Sequence, residues 1–255
     1  MMNEKKARIH LGGTARSPDD VYTLHNLGLR FTEIPITNPV KFSSRIRTFQ
    51  NIKRELGIYY LCHGPREGDP NDKETLKKDY LPRLISILPL MTRLEMKLLT
   101  VHLWLDPRFV KKDVIRYKID ILKEVIDRAE DMGIIVCIEN LSEKTNHMEV
   151  PFRNLPLLNM TLDLGHAELL TDVNNSVAFL KRFPQRIRHI HIHDNRGGDG
   201  PKDDLHLPVG EGIIDFKGIF RTLNAIGYAQ TMTLELKPHE MAVSLTYVKG
   251  LLRNF

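Results

Sequence analysis

The feature that most constrains this chain is a rhythm. A short apolar, β-rich run is followed by an amphipathic stretch, and the pair recurs along the sequence. The runs are Arg8–Leu11, Leu29–Ile34, Tyr59–His63, Leu98–His102, Ile134–Glu139, Met160–Asp163, Ile187–His193 and Met232–Leu236, eight in all. Strands that alternate with helices pair in parallel, because each helix carries the chain back across the face of the sheet. Eight such units in 255 residues predict a closed (β/α)8 TIM barrel, one domain over residues 1–255. An open doubly wound sheet is the alternative. It would normally begin with a Gly-rich phosphate turn, and Gly12-Gly13 lacks the G-x-G-x-x-G spacing.

The intervening stretches carry helix signals. Ser17-Pro18-Asp19-Asp20 reads as a cap, a first-turn proline and first-turn acids. From Asp113 to Met132, Val114, Ile115, Ile119, Ile121, Leu122, Val125, Ile126 and Ala129 form a stripe at helical spacing, closed by Gly133. Ala225-Ile226-Gly227 ends another helix in the same way. Thr75 to Arg93 also reads as helix, with Pro82 and Pro89 as kinks or breaks. Glu143 to Leu157 has weak periodicity and reads as an irregular loop.

Composition excludes several classes. With 42% hydrophobic and 27% charged residues the chain has the balance of a soluble globular protein. Only Cys62 and Cys137 are present, which excludes a disulfide framework, fits a reducing cytoplasm and marks both as core residues. Met1 to Arg8 is charged and lacks the apolar stretch of a signal peptide, and no apolar run would span a bilayer, so no membrane partner is expected. Lys+Arg 37 against Asp+Glu 32 gives +5. That mild excess suits an anionic ligand without demonstrating nucleic-acid binding.

Polar residues fall where a barrel would gather them. Strand after strand is apolar until its C-terminal end, where a metal-ligand type stands: His63, His102, Glu139, Asp163, His191 with His193, and Glu235. In a closed parallel barrel these ends meet at one rim. Residues two apart share a face, so Thr161 and Asp163 point inward together, as do Thr231, Thr233 and Glu235, and Ile135, Cys137 and Glu139. Any one such residue is more often merely solvated or hydrogen-bonded. Several carboxylates converging in a barrel mouth would repel one another, and a divalent cation removes that cost. Asp163-Leu164-Gly165-His166 adds a ligand type three residues after a strand-end Asp, with Gly165 permitting a tight turn. Asp204-Leu205-His206 places two more on one side of an extended segment. Mixed imidazole and carboxylate donors suit Zn²⁺ or Mn²⁺. Glu33 is a candidate acceptor for a substrate hydroxyl, Trp104 a candidate stacking ring, and Lys237 and Arg66 candidates for an anionic group; a solvated or packed role is the alternative for each. Arg45-Ile46-Arg47 and Lys53-Arg54 read as the solvated face of an outer helix.

The segments Ile138-Glu139-Asn140, Leu162-Asp163-Leu164-Gly165-His166-Ala167, His189-Ile190-His191-Ile192-His193-Asp194-Asn195, Asp204 through Gly212, and Leu234-Glu235 resemble the xylose isomerase-like TIM-barrel superfamily. That superfamily includes sugar and sugar-phosphate isomerases and epimerases and the endonuclease IV repair enzymes. The similarity runs from about Arg8 to Pro238. For the epimerase branch it implies a metal held by Glu139, Asp163, His191 and Glu235, with the two glutamates as acid and base. For the endonuclease branch it implies nine ligands to three zinc ions: His63, His102, Glu139, Asp163, His166, His191, Asp204, His206 and Glu235. The implied cofactor is Zn²⁺ or Mn²⁺, one ion or as many as two or three. The resemblance assigns His191 as the seventh-strand ligand and leaves His193 as a substrate-side or alternative ligand.

Three departures disfavour the endonuclease. Gly165 stands where that branch has Cys, and His191 is followed by Ile192-His193-Asp194 rather than Leu-Asn-Asp. The loop Pro35-Ile36-Thr37-Asn38-Pro39-Val40-Lys41-Phe42 has no Arg or Trp to fill a gap in stacked bases. The implied function is isomerisation or epimerisation of a sugar or sugar phosphate, with abasic-site DNA cleavage as the alternative. Nucleic acid is a partner only under that alternative. A homo-oligomer is compatible with the sequence, as is a catalytically idle barrel that binds a sugar or metal.

Overall fold

The structure, a computed structural model, describes residues 9–200 and 202–253. Eight parallel strands close on themselves in chain order: β1 (His10–Thr14), β2 (Phe31–Pro35), β3 (Tyr59–His63), β4 (Leu98–Val101), β5 (Ile135–Glu139), β6 (Asn159–Asp163), β7 (Ile187–Ile192) and β8 (Thr231–Leu234). β1 pairs with both β2 and β8, so no strand edge is left free. The expected (β/α)8 barrel is present. Met1 to Arg8, including the start of the first expected run, lies outside the described residues. The first strand takes in Gly12-Gly13 rather than ending before it. A Cβ at Gly12 would collide with the Phe31 ring, so the glycine makes room for Phe31 in the barrel floor.

Helices fill the connections. The helix Pro18–Asn26 opens as its sequence implies: Asp20 N–H donates to the Ser17 hydroxyl, and Ser17 N–H donates back to the Asp20 carboxylate. The helix Lys112–Glu130 buries the expected stripe, and Gly133 leaves it at φ +63°. Two expectations need correction. The helix Leu81–Leu94 runs through both Pro82 and Pro89, so neither proline breaks it. Pro82 follows directly on a wide π turn over Leu76–Tyr80, which carries the helical chain in from Asp72. Residues 143–157 are not an irregular loop, for Thr145–Asn154 is helical. Its buried anchors are only Met148, Pro151 and Phe152, too few to display a period.

The interior is layered. Phe31, Leu61, Leu98 and Cys137 form an apolar plug inside the barrel, with Tyr59 and Ile135 against it. Buried polar residues lie among the same strands: Glu33, Thr100, Thr161, His189 and Thr233, with Thr100 Oγ1 2.9 Å from Thr161 Oγ1. The larger apolar core lies between the outer strand faces and the helices. Cys62 and Cys137 are free and buried, and burial pushes both thiols up. Among the described residues no helix is long and apolar enough to cross a membrane.

Candidate metal centre

The strand ends converge as alternation requires. Glu139, Asp163, His191 and Glu235 each place one donor atom within 4.8 Å of the others. His191 Nδ1 lies 3.0 Å from Glu139 Oε1, 3.5 Å from Glu235 Oε1 and 3.7 Å from Asp163 Oδ2. Asn140 fixes two of these ends together. Its side-chain amide donates to the Asp163 carbonyl at 2.9 Å, and Asp163 N–H donates to Asn140 Oδ1 at 2.8 Å. His63 joins from β3, its Nε2 3.1 Å from Glu139 Oε2. His102 stands beside this group, its ring 6.1 Å from that of His63, and is in none of the close clusters among the described residues.

A second cluster adjoins the first. His166, His193, Asp204 and His206 bring one donor atom each within 4.8 Å of the others. Asp204 Oδ2 lies 3.4 Å from His166 Nε2 and 3.2 Å from His206 Nε2, and the His193 and His206 rings stack at 3.8 Å. His193 is thus a member of this cluster, alongside the three residues the sequence singled out. The segment 204–206 is not regularly extended, because His206 is left-handed at φ +47°. Asp204 and His206 still face each other across that kink. An antiparallel bridge between Asp194 and Leu207 pins the segment to the end of β7. Asp194 also accepts N–H groups from Gly210 and Ile214, which is what the Asp of the His-Asp-Asn motif does here.

Gly165 is needed for a reason other than a tight turn. Its φ of −73° suits any residue, but a Cβ there would fall inside the His193 ring. Backbone and side chain then complete the Asp163-to-His166 turn, with His166 N–H donating to Asp163 Oδ1 at 2.7 Å.

Charge in the cluster is balanced by protons. Burial alone would raise Glu139, Asp163 and Asp204, yet the histidines around each overcome it and hold all three carboxyls low. Burial likewise opposes protonation of the imidazoles. The carboxylates win at His63 and His206, both pushed up to about 9, and they also raise His166 and His191. At His102 burial wins, taking it down to about 3. A divalent cation can replace protons held this way. Asp163 Oδ2, Asp204 Oδ1 and His102 Nδ1 are buried with no hydrogen-bond partner among the described residues, as donors awaiting a cation would be. Three carboxylates and an imidazole in one group, and three imidazoles and a carboxylate in the other, fit Zn²⁺ or Mn²⁺.

These clusters open into a cleft of about 1290 Å³. Lys237 and Arg66 line it, as do Arg16, Lys41 and Arg45, so Arg45 belongs to the cleft wall rather than to a purely solvated helix face. Trp104 is outside that lining: its ring stacks on Phe109 at 4.7 Å and its indole N–H donates to Ser142 Oγ at 2.7 Å. Glu33 is only 1% exposed, behind His191 and away from the cleft. Sequence reasoning missed Asn140, His189 and the cations Arg16 and Lys41. The period-two run His189, His191, His193 was the one signal that pointed to His189.

The profile of the xylose isomerase-like TIM barrel family matches residues 21–251, and the chain belongs to that family. An uncharacterized protein of Methanocaldococcus jannaschii is 32% identical over 125 residues, 46% of this chain and 41% of that one. The inosose dehydratase of Serratia proteamaculans is 28% identical over 156 residues, 49% of this chain and 51% of that one. The chain therefore spans about half or less of the length of these two relatives. Among solved structures, a D-tagatose 3-epimerase-like protein superposes with a TM-score of 0.81 at 21% identity, covering 96% of this chain and 97% of that one. The IOLI protein, solved with a bound zinc atom, superposes at 0.77 and 14% identity, covering 97% and 99%. Both share the fold.

Proposed function

We propose that this chain is a metal-dependent isomerase or epimerase of a sugar or sugar phosphate. The observation that carries the reading is the group Glu139, Asp163, His191 and Glu235, gathered at the mouth of a closed barrel. The name of the D-tagatose 3-epimerase-like structure supports the same chemistry. These four residues would hold a Zn²⁺ or Mn²⁺ ion. When bound, the ion supplies Lewis acidity toward a substrate carbonyl and its developing oxyanion.

The chain's own residues do the rest. His63 and His191 clamp the two oxygens of Glu139, which keeps that carboxylate ionised and aimed. Glu235 is partly exposed and lines the cleft, so it reaches substrate with fewer constraints. One of these glutamates takes a proton from carbon and the other returns one on the opposite face. Lys237 and Arg66 line the cleft and would meet an anionic substituent. Glu33 and Trp104 have no direct substrate role in this scheme. His166, His193, Asp204 and His206 would hold a second ion, and the buried free cysteines fit a reducing cytoplasm.

A second reading, hydrolysis at abasic DNA, is favoured by one observation: His166, Asp204 and His206 meet beside the first group, as a nine-ligand site requires. The test separates the two. Metal-loaded protein should catalyse uptake of deuterium from D₂O into a ketose or ketose phosphate, and chelation should stop it. Glu235→Gln should lower exchange by about two orders of magnitude, the scale of a lost general base. Incision of an abasic duplex, abolished by Glu139→Gln, with no exchange in any sugar, would replace the isomerase reading by the nuclease.

A further inference from the structure

Glu33 is a charged residue in the middle of β2 that the proposed reaction does not use. It is 1% exposed, and a buried carboxylate is costly unless its oxygens are occupied. Both are. His189 Nε2 lies 3.0 Å from Oε2, and His191 Nε2 lies 3.2 Å from Oε1 and 3.0 Å from Oε2. Neither Lys nor Arg pairs with Glu33 among the described residues; its partners are these two imidazoles.

The His191 ring is the link. Its Nε2 edge faces Glu33, and its Nδ1 edge faces Glu139, Glu235 and Asp163. Ionised carboxylates only accept, so with no metal bound both ring nitrogens carry protons, Nε2–H donating to Glu33 and Nδ1–H to Glu139. A cation among Glu139, Asp163 and Glu235 would displace the Nδ1 proton alone, and Glu33 would keep the remaining proton on Nε2. His189 steadies the carboxylate from the other side. Its Nδ1 is 2.6 Å from Thr231 Oγ1, and its Nε2 is 3.0 Å from Thr233 Oγ1. The chain Thr231–His189–Glu33–His191 thus ties β8, β7 and β2 together behind one donor atom.

We infer that Glu33 is a positioning residue that sets the metal affinity of the centre by fixing the tautomer and ring plane of His191. The inference rests on the metal reading above and asks for no contact between Glu33 and substrate. Loss of a carboxylate behind a ligating imidazole typically weakens metal binding by about 10–100-fold.

The experiment measures Co²⁺ affinity by competition with a chromophoric chelator, together with the visible Co²⁺ spectrum and the melting of metal-free protein. The proteins are wild type, Glu33→Gln, Glu33→Asp, His191→Ala and the Glu33→Gln/His191→Ala double variant. Glu33→Gln should bind Co²⁺ about 10–100-fold more weakly and alter its spectrum. Glu33→Asp, which keeps the charge one methylene further back, should fall between, and it carries the comparison if the Gln variant does not fold. In the His191→Ala background the Glu33 change should cost no further affinity. If Glu33→Gln binds Co²⁺ as wild type does, or loses the same factor with and without His191, Glu33 serves only the fold and the inference fails while the metal reading stands. If wild type itself takes up no ion, the metal-dependent function fails, and this inference with it.

Discussion

A methyl group added at Gly165 would have to share space with the His193 ring. His193 is fully buried, so the ring cannot swing into solvent. Gly165→Ala should therefore cost about 1–3 kcal/mol, the usual range for overpacking a tight site. It should also lower the number of ions retained, because the displaced ring leaves the second cluster one donor short. His193→Ala made in the same chain should recover most of the melting temperature but not the ion count. Melting curves and elemental analysis of the single and double variants check this. A Gly165→Ala protein that melts like wild type would show that the ring has room. The two residues differ from the endonuclease pattern separately in the sequence, yet in space they are one feature. That coupling was not legible, because it depends on how the β6 turn lies over β7. The strand-end donors were legible, since each closes its own apolar run. Asn140 and the role of Glu33 were not, since Asn140 acts on the adjacent β6 and Glu33 acts across the barrel on β7.

The connections after β4 and β5 are cross-linked by a buried polar network. Arg108 donates from Nε to both Asp106 oxygens, at 3.1 and 3.0 Å, and from Nη2 to Oδ2 at 2.6 Å. Ser142 Oγ donates to the same Oδ2 at 2.8 Å, and Arg108 Nη2 also donates to the Ser142 carbonyl at 2.7 Å. Leu105 N–H donates to Glu143, and Trp104 N–H to Glu67, which pairs with the buried Lys118 at 2.6 Å. His102 and Glu139 leave their strands into these segments, so the network holds two strand ends of the rim. Burial would raise Asp106, but the Arg108 and Ser142 hydrogen bonds prevail and hold its carboxyl below the ordinary range. A carboxyl lowered in the folded state stabilises above its unfolded pKa, and that contribution is lost as pH falls through the folded value. Asp106→Asn should therefore destabilise at neutral pH by about 1–2 kcal/mol, discounted because Arg108 is a third exposed. The gap from wild type should close as the pH drops below the carboxylate range. Thermal melts taken stepwise from neutral pH down through the carboxylate range follow that closing gap. A gap that stays constant would mean that Asp106 acts by shape alone. Elements of this kind were partly legible. The long helix Lys112–Glu130 shows a full stripe, whereas Thr145–Asn154 has three anchors, one of them a proline, too little pattern for any period to emerge.

The whole barrel was legible because its repeat is the chain's dominant pattern, and closure follows once the eighth strand pairs with the first. What no strand pattern encodes is the distribution of charge above the rim. Arg16, Lys41, Arg45 and Arg66 come from the segments that follow the first three strands and line one cleft with the metal-type residues. Among the described residues no carboxylate pairs with Arg16, Lys41 or Arg66. A net charge of +5 over 255 residues is weak, but four cations gathered around a concave, low-dielectric opening focus field lines out of it. Under the proposed function, such an opening would gather an anionic substrate before any contact forms. Capture of a phosphorylated sugar should slow as counter-ions crowd the opening, on the length of about 8–10 Å over which physiological salt screens charge. Between about 20 and 200 mM salt, kcat/KM for an anionic substrate should fall several-fold, with kcat nearly unchanged and a neutral sugar unaffected. Arg16→Gln with Arg66→Gln should flatten that dependence. Equal salt responses for charged and neutral sugars would mean that the cations merely keep the opening hydrated, and that encounter is left to diffusion alone.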